Sequence, residues 1–335
     1  MSDSPSAAGS AVFIAHVADP EPWLGDFLAA VDGRFTVHVL DHDAPFSSQF
    51  RGAGAVVDLG GAGSVDMISA AADAGVRLWQ VVGVGLDRTN VAEIEASGMA
   101  LAHTPGSVSA IGLAETALLL MLALVKRLRE AQENARAGRL FAPEGGELAG
   151  RTLGLVGLGA SARELARRAK AFDMNVVAVD VAPIEPAAWR ACGVDSFGPV
   201  EELDDLLAGS DYVSLHVPLV EATRSLIDRP RLALMRPEAS IVNVARGGLI
   251  DEAALIGALT DGVIAGAGLD VTASEPLPTD HPLLAMDNVV LTPHIAGSTR
   301  ESSRRRNEIC ADNVLRALEG RAPEYQVLPR RRRPA

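Results

Sequence analysis

The sequence predicts an α/β protein built from two doubly wound parallel-sheet domains. Three observations carry this. The 335 residues suit about two domains at the usual ~150 residues each. Runs rich in Val, Ile, Leu and Phe alternate with helix-patterned segments, the rhythm of parallel sheets covered by helices on both faces. That rhythm restarts at Thr152, where a glycine turn joins a strand to a helix.

In the first series, strands are predicted at 11–15 (AVFIA), 35–40 (FTVHVL), 55–59 (AVVDL) and 78–82 (LWQVV). Helices fit between them, for example over 21–31 and 64–74. Residues 107–138 read as one long helix, with Ser107 or Ser109 as its cap and Gly138 as its stop. Its middle, ALLLMLALV, is apolar nearly all round, which requires burial against more than one neighbour and also suits a subunit interface.

In the second series, strands are predicted at 152–156, 175–180, 212–216, 240–244, 265–270 and 288–291, with helices over 161–172, 200–208, 229–234 and 252–260. Six strands make a complete doubly wound sheet. A last helix is predicted over 302–320. Residues 1–10 and 331–335 read as disordered tails, and the Arg330–Arg333 cluster as a solvated end.

Composition narrows the function. The chain is 48% hydrophobic and 22% charged, an ordinary globular mixture. Its densest apolar stretch, Ala117 to Val125, falls well short of the ~20 residues that span a bilayer. The start, MSDSPSAAGS, has neither the basic head nor the apolar run of a signal peptide. A net charge of −13 argues against a nucleic-acid binder. Cys192 and Cys310 are the only cysteines, too few for a disulfide scaffold or a cysteine metal site, and they suit a reducing cytoplasm.

Candidate chemistry begins at Thr152-Leu-Gly-Leu-Val-Gly157-Leu-Gly159-Ala-Ser161-Ala162. Gly157 permits a tight turn. Gly159 lets the backbone approach a pyrophosphate, whose charge sits on the helix N-terminus. Ala162 stands where only a small residue packs helix against strand. The next strand ends at Asp180, a carboxylate placed to accept from the adenosine ribose hydroxyls and to repel a 2′-phosphate. No arginine follows within five residues, so NAD is expected rather than NADP.

Three further stretches put polar residues just after predicted strands: IVNVARGGLIDEAAL (Ile241–Leu255), AGAGLDVTASEP (Ala265–Pro276) and NVVLTPHIAG (Asn288–Gly297). In an open parallel sheet that edge is where ligands bind.

With QVVGVGLD, TPG, GLVGLG and SLHVPL…TRSLI in the same order, these stretches make the chain resemble the D-isomer-specific 2-hydroxyacid dehydrogenases, from about Gln80 to Ser303. The resemblance implies two Rossmann-like domains with the active site in the cleft between them. It assigns 11–103 plus 298–330 to a substrate domain and 104–297 to an NAD-binding domain carrying the 107–138 helix. It places the family's catalytic arginine on Arg246, its glutamate on Glu275 and its histidine on His294. Each role has a physical basis. A guanidinium binds a carboxylate bidentately and polarises the neighbouring carbonyl. A histidine supplies or reclaims the proton on the substrate oxygen. A carboxylate beside it favours the imidazolium and fixes the ring.

The resemblance implies that Gly157, Gly159, Ser161, Ala162 and Asp180 bind NAD together with His216, Val217, Pro218 and Thr223. Val244, Ala245, Arg246, Asp270, His294 and Gly297 complete that set, with Asp270 accepting from the nicotinamide carboxamide. It gives Val84 and Gly85 to the substrate carboxylate. Two positions depart from the family pattern: His103 stands where many relatives have Asn, and Ser161-Ala162 replaces a bulky residue followed by glycine. The implied activity is NAD-dependent interconversion of a small 2-oxo acid and its D-2-hydroxy acid, with glyoxylate, hydroxypyruvate, pyruvate or 3-phosphohydroxypyruvate as substrate. A homodimer is implied, without nucleic acid or membrane. The alternative is an NAD-sensing scaffold protein of the same fold. Glu275 argues against formate oxidation, for which relatives carry Gln.

Overall fold

The computed structural model describes residues 9–16 and 19–328. The expected tails at 1–10 and 331–335 fall almost wholly outside them, as does the Arg330–Arg333 cluster. The chain divides into two compact units. One holds the described residues through Val108 and those from Arg300 onward, and the other is Ser109–Thr299.

The first unit begins β1 (Ser10–Ala15), α1 (Trp23–Val31), β2 (Thr36–Val39), α2 (Phe46–Gln49) and β3 (Ala53–Leu59). It continues α3 (Val65–Asp73), β4 (Leu78–Val82), α4 (Val91–Ala96) and β5 (Ala100–Ala102). The strands are all parallel, in the order β2-β1-β3-β4-β5. The direction of winding reverses between β1 and β3, so the loops at their carboxyl ends frame a crevice. Strand β4 is buried along its whole length, as expected of a strand covered on both faces. Along β1 the side chains alternate: Ala11, Phe13 and Ala15 join one core, Val12 and Ile14 the other. At the carboxyl edge the buried Asp58 accepts hydrogen bonds from Gly61 N, Gly63 N and Trp79 Nε1 and pairs with His16.

The second unit opens with α5 (Ala110–Val125) and α6 (Leu128–Arg136), then β6 (Thr152–Val156), α7 (Ala160–Lys170), β7 (Asn175–Asp180), α8 (Pro186–Arg190) and β8 (Ser196–Pro199). It runs on through α9 (Leu203–Gly209), β9 (Tyr212–Leu215), α10 (Arg229–Leu232), β10 (Ser240–Asn243), α11 (Glu252–Thr260), β11 (Gly266–Leu269), α12 (Pro282–Ala285) and β12 (Val289–Leu291). Helix α13 (Arg300–Leu318) then closes the first unit by burying Cys310, Ala311 and Val314 against the face that carries Phe13. The sheet of the second unit is parallel, in the order β12-β11-β10-β9-β6-β7-β8. Its reversal lies between β6 and β9, where the glycine turn emerges. Two apolar layers cover it: Ile241 of β10 points into one and Val242 into the other.

Three sequence expectations are corrected. The sheet of the first unit has five strands rather than four, because the three-residue β5 pairs with the edge of β4. The sheet of the second unit has seven strands rather than six. The extra one, β8, is the short segment SFGP at the sheet edge, paired only with β7. Its Gly and Pro mask it, and an edge strand tolerates both. The single helix over 107–138 is two helices. Arg127 takes the left-handed conformation at φ 51° and breaks it. The chain returning at Gly146 stabilises the break: its N–H donates to Val125 O at 2.8 Å, and Lys126 Nζ donates to Gly146 O at 2.8 Å. Ser109 stands at the N-cap of α5 but makes no capping bond through its side chain.

Candidate active site

Three loops at the carboxyl edge of the larger sheet carry Arg246, Glu275 and His294. Arg246 follows β10, whose last residue, Asn243, is buried. Asn243 Nδ2 donates to Arg246 O at 2.8 Å and its Oδ1 accepts from Ala245 N at 3.0 Å. One amide thus fixes the loop on both sides of Ala245. Beyond it, a Cβ on Gly247 would stand 1.9 Å from the Thr272 carbonyl oxygen. The arginine loop therefore lies backbone to backbone against the turn that carries Glu275, an approach open only to glycine.

Glu275 uses both carboxylate oxygens. Oε1 accepts from Thr272 N at 3.3 Å and Oε2 meets His294 Nδ1 at 2.8 Å. With Nδ1–H donating to Glu275, the other ring nitrogen, Nε2, is left for chemistry, in the tautomer that this bond selects. The His294 side chain is 46% exposed, so the ring is backed by protein on one side and accessible on the other.

His294 also sits in the left-handed region, at φ 55°. A non-glycine residue there costs of order 1 kcal/mol and persists where surrounding bonds impose it. The buried Asp270 supplies those bonds. Its main-chain oxygen accepts from His294 N at 2.8 Å. Its Oδ1 accepts from Thr292 Oγ1 at 2.6 Å and Ile295 N at 2.9 Å, and Oδ2 from Ala296 N at 2.9 Å. Asp270 thus shapes the 292–297 loop, and a carboxylate's ~4 acceptor sites leave room for one further donor.

Of the residues expected to bind the cofactor, Gly157, Gly159, Ser161, Ala162 and Asp180 lie around the start of α7. Gly157 has φ 87°, and a Cβ there would meet Val217 Cγ1 at 2.7 Å and His216 O at 2.9 Å. Around the α-carbon of Gly159, at the N-cap of α7, the space is open. Asp180 Oδ2 accepts from Leu158 N at 2.7 Å and Oδ1 from Ala182 N at 3.0 Å, which pins the turn to the end of β7. A glycine cradle with open backbone, a helix N-terminus and a carboxylate at the neighbouring strand end together fit a dinucleotide.

His216 lies beneath this turn. Its Nδ1 is 2.9 Å from Ser161 Oγ and its Nε2 is 2.9 Å from Ser214 Oγ. Burial without a charged partner pushes its pKa down to about 4, so the ring is neutral at neutral pH. Ser161, one of the two departures from the family pattern, is thus tied to β9 through His216. Thr223 Oγ1 closes the next loop by donating to Pro218 O at 2.6 Å and accepting from Val220 N at 2.9 Å. Val244 is buried beside the arginine loop.

Val84 and Gly85 belong to the first unit and follow β4. There His103 Nδ1 lies 3.1 Å from Val84 O, and Thr104 N donates to Gly83 O at 2.9 Å. The second departure, His103, therefore shapes this loop. Sequence reasoning missed Asn243 and Ser214. Asn243 was detectable as a polar residue ending an apolar strand, whereas nothing local marks Ser214.

Residues 118–296 match the model of the D-isomer specific 2-hydroxyacid dehydrogenase, NAD binding domain. The chain is 40% identical over 250 residues to a glyoxylate reductase of Thermofilum pendens, spanning 73% of this chain and 72% of that protein. It is 42% identical over 243 residues to a hydroxypyruvate reductase of Thermotoga maritima, spanning 70% and 76%. The NAD-complexed crystal structure of a D-isomer specific 2-hydroxyacid dehydrogenase from Lactobacillus delbrueckii ssp. bulgaricus superposes with a TM-score of 0.78 and 26% identity, over 95% of this chain and 100% of that one. The chain belongs to the D-isomer-specific 2-hydroxyacid dehydrogenase family, and with it to the NAD-dependent oxidoreductases of 2-hydroxy acids.

Proposed function

We propose that this protein reduces a small 2-oxo acid to the D-2-hydroxy acid with NADH, the substrate being glyoxylate, hydroxypyruvate, pyruvate or 3-phosphohydroxypyruvate. The observation that carries this reading is the 2.8 Å bond between His294 Nδ1 and Glu275, made by a histidine in a left-handed backbone conformation. With its pyrophosphate held at the glycine turn, NADH would supply hydride to the 2-carbon. The remaining work falls to side chains. The Arg246 guanidinium holds the substrate carboxylate and draws density from the adjacent carbonyl. His294 delivers a proton from Nε2 to the carbonyl oxygen as it gains charge, while Glu275 holds the ring and offsets the imidazolium. In this reading the backbone N–H groups of Val84 and Gly85 are an anion nest for a substrate carboxylate.

Asp180 supports NADH over NADPH, because a carboxylate at the strand end repels a 2′-phosphate. A homodimer is part of the proposal. Leu119 of α5 is 53% exposed, Leu140 is 78% exposed and Phe141 is fully exposed, apolar surface that a partner copy would cover. The free thiols of Cys192 and Cys310 support a cytoplasmic setting.

The test is loss of NADH absorbance against a panel of these oxo acids, repeated with NADPH and with His294→Ala. The expected outcome is turnover with NADH, and a variant that binds NADH like the parent but has lost nearly all turnover. Undiminished turnover in His294→Ala would refute the proton-donor assignment. A monomer mass by light scattering at micromolar concentration would remove the dimer.

A further inference from the structure

The larger unit contains a second carboxylate–imidazole pair, outside the assigned residues. Glu252 opens α11 and His281 stands at the N-cap of α12. Glu252 Oε1 is 3.2 Å from His281 Nε2, and both side chains are more than four-fifths buried. His281 Nδ1 faces Leu283 N at 3.4 Å, an acceptor position that leaves the ring proton on Nε2, directed at Glu252. The other oxygen, Glu252 Oε2, accepts from Ala273 N at 3.0 Å.

That last bond gives the pair its meaning. Ala273 N belongs to the Thr272–Ala273 peptide, whose carbonyl oxygen abuts Gly247, the residue after Arg246. The N–H of Thr272 in turn donates to Glu275 Oε1. One short turn thus touches the arginine loop on one side and holds the glutamate on the other, and Glu252 is the side chain that anchors it to α11. His281 keeps Glu252 in place by filling its second oxygen.

We propose that Glu252 and His281 are positioning residues: they clamp the Thr272–Glu275 turn and so set where Glu275 holds His294 relative to Arg246. The proposal rests on the functional reading above, in which those three residues perform the reaction. Neither member of the clamp is assigned to substrate or cofactor in that reading. Both act through the backbone N–H of Ala273.

The experiment compares Glu252→Ala, Glu252→Gln and His281→Phe with the full-length parent. A misplacement of ~1 Å at reacting groups costs about 100-fold in rate, so Glu252→Ala is expected to lose turnover on that scale. NADH affinity, measured by fluorescence titration, should stay at the parent value. Glu252→Gln keeps an oxygen for Ala273 N but turns its N–H₂ toward the Nε2–H of His281, so it should recover part of the loss, and His281→Phe should likewise lose less than Glu252→Ala. A second readout does not need turnover. The Nδ1 proton resonance of His294, observed by NMR in histidine-labelled protein, reports its bond to Glu275 and should move upfield in Glu252→Ala. A parent protein inactive on every oxo acid would refute the functional reading while leaving this resonance to decide the clamp. A parent-like resonance in folded Glu252→Ala, or equal losses of turnover and NADH affinity, would overturn the proposal. Should Glu252→Ala fail to fold, His281→Phe carries the same test, and a parent-like resonance there overturns it.

Discussion

Acid should loosen the larger unit through His216, and the size of the effect follows from its surroundings. The ring is buried between two hydroxyls, Ser161 Oγ and Ser214 Oγ, each at 2.9 Å. Those hydroxyls satisfy either neutral tautomer but do not offset a full positive charge. Its pKa therefore falls from the ordinary 6.5 to about 4 in the folded protein. Between those values the unfolded chain takes up a proton that the folded one refuses. Stability contributed by this site is thus complete above pH 6.5 and is lost as pH falls toward 4. At 1.36 kcal/mol per pH unit, the loss is about 3 kcal/mol. That is a large share of the roughly 5–15 kcal/mol that holds a typical domain. The perturbation is His216→Gln, whose amide can meet both serines and does not titrate in this range. Urea unfolding of parent and variant would be followed from pH 8 to pH 4 by 5-fluorotryptophan NMR, which separates Trp189 of this unit from Trp23 and Trp79. The parent's advantage over the variant should shrink by about 3 kcal/mol across the window. The six other histidines are common to both proteins and cancel in the difference. Parallel curves would refute the reasoning, because a buried neutral imidazole cannot leave the acid slope unchanged when it is removed.

Three more outcomes follow from the same structure. Asp270→Asn places an N–H₂ group against Ile295 N or Ala296 N; a buried donor left without an acceptor costs about 1–3 kcal/mol, so amide exchange at Ile295 and Ala296 should quicken roughly 10- to 100-fold and turnover should fall with it, whereas parent-like exchange would show that the carboxylate does not hold the loop. Gly157→Ala forces a side chain onto Val217 and His216 at a φ of 87°, so NADH affinity should drop by at least an order of magnitude, read by fluorescence titration on protein of unchanged circular dichroism. Burial pushes the Cys310 thiol up to about 12, and Cys192 is buried too, so iodoacetamide at pH 8 should label neither until urea is added, as intact mass would show; rapid native labelling of Cys310 would contradict its place on the buried face of α13.

The fold was legible wherever one segment's own residues decided its state. The apolar runs 78–82, 152–156 and 175–180 match β4, β6 and β7 end for end, and the 252–260 helix matches α11, because Asp251 caps it through Ala254 N. What escaped was decided elsewhere in the chain. Strand β5 is three residues, ALA, with no β-branched side chain, and it exists because β4 offers an edge. Strand β8 reads as a turn and is held by β7. The break at Arg127 is invisible locally, since Lys, Arg, Leu, Glu, Ala and Gln on either side all favour helix. It is stabilised by Gly146, which returns from farther along the chain to take the Val125 carbonyl.

The candidate site divides along the same line. Arg246, Glu275 and His294 are assigned by the family resemblance, and the stretches that carry them also show polar residues just past a strand, where a parallel sheet binds ligands. The residues that place them are less legible. Glu252 sits in the first turn of a helix, where a carboxylate is favoured for the dipole alone, so its type says nothing about Ala273 N. Asn243 ends a strand and is read as a boundary, yet its amide spans the arginine loop. Asp270 was assigned to the nicotinamide by resemblance, while its bonds to Thr292, Ile295 and Ala296 show that it also sustains the left-handed backbone of His294. Each of the three meets at least one backbone N–H, which every residue but proline possesses and which therefore leaves no trace in the letter sequence. Chemistry-bearing groups are legible where a recognisable motif surrounds a distinctive side chain, whereas the scaffold that aims them is written in a group common to nearly all residues, and only the folded backbone reveals which N–H is met.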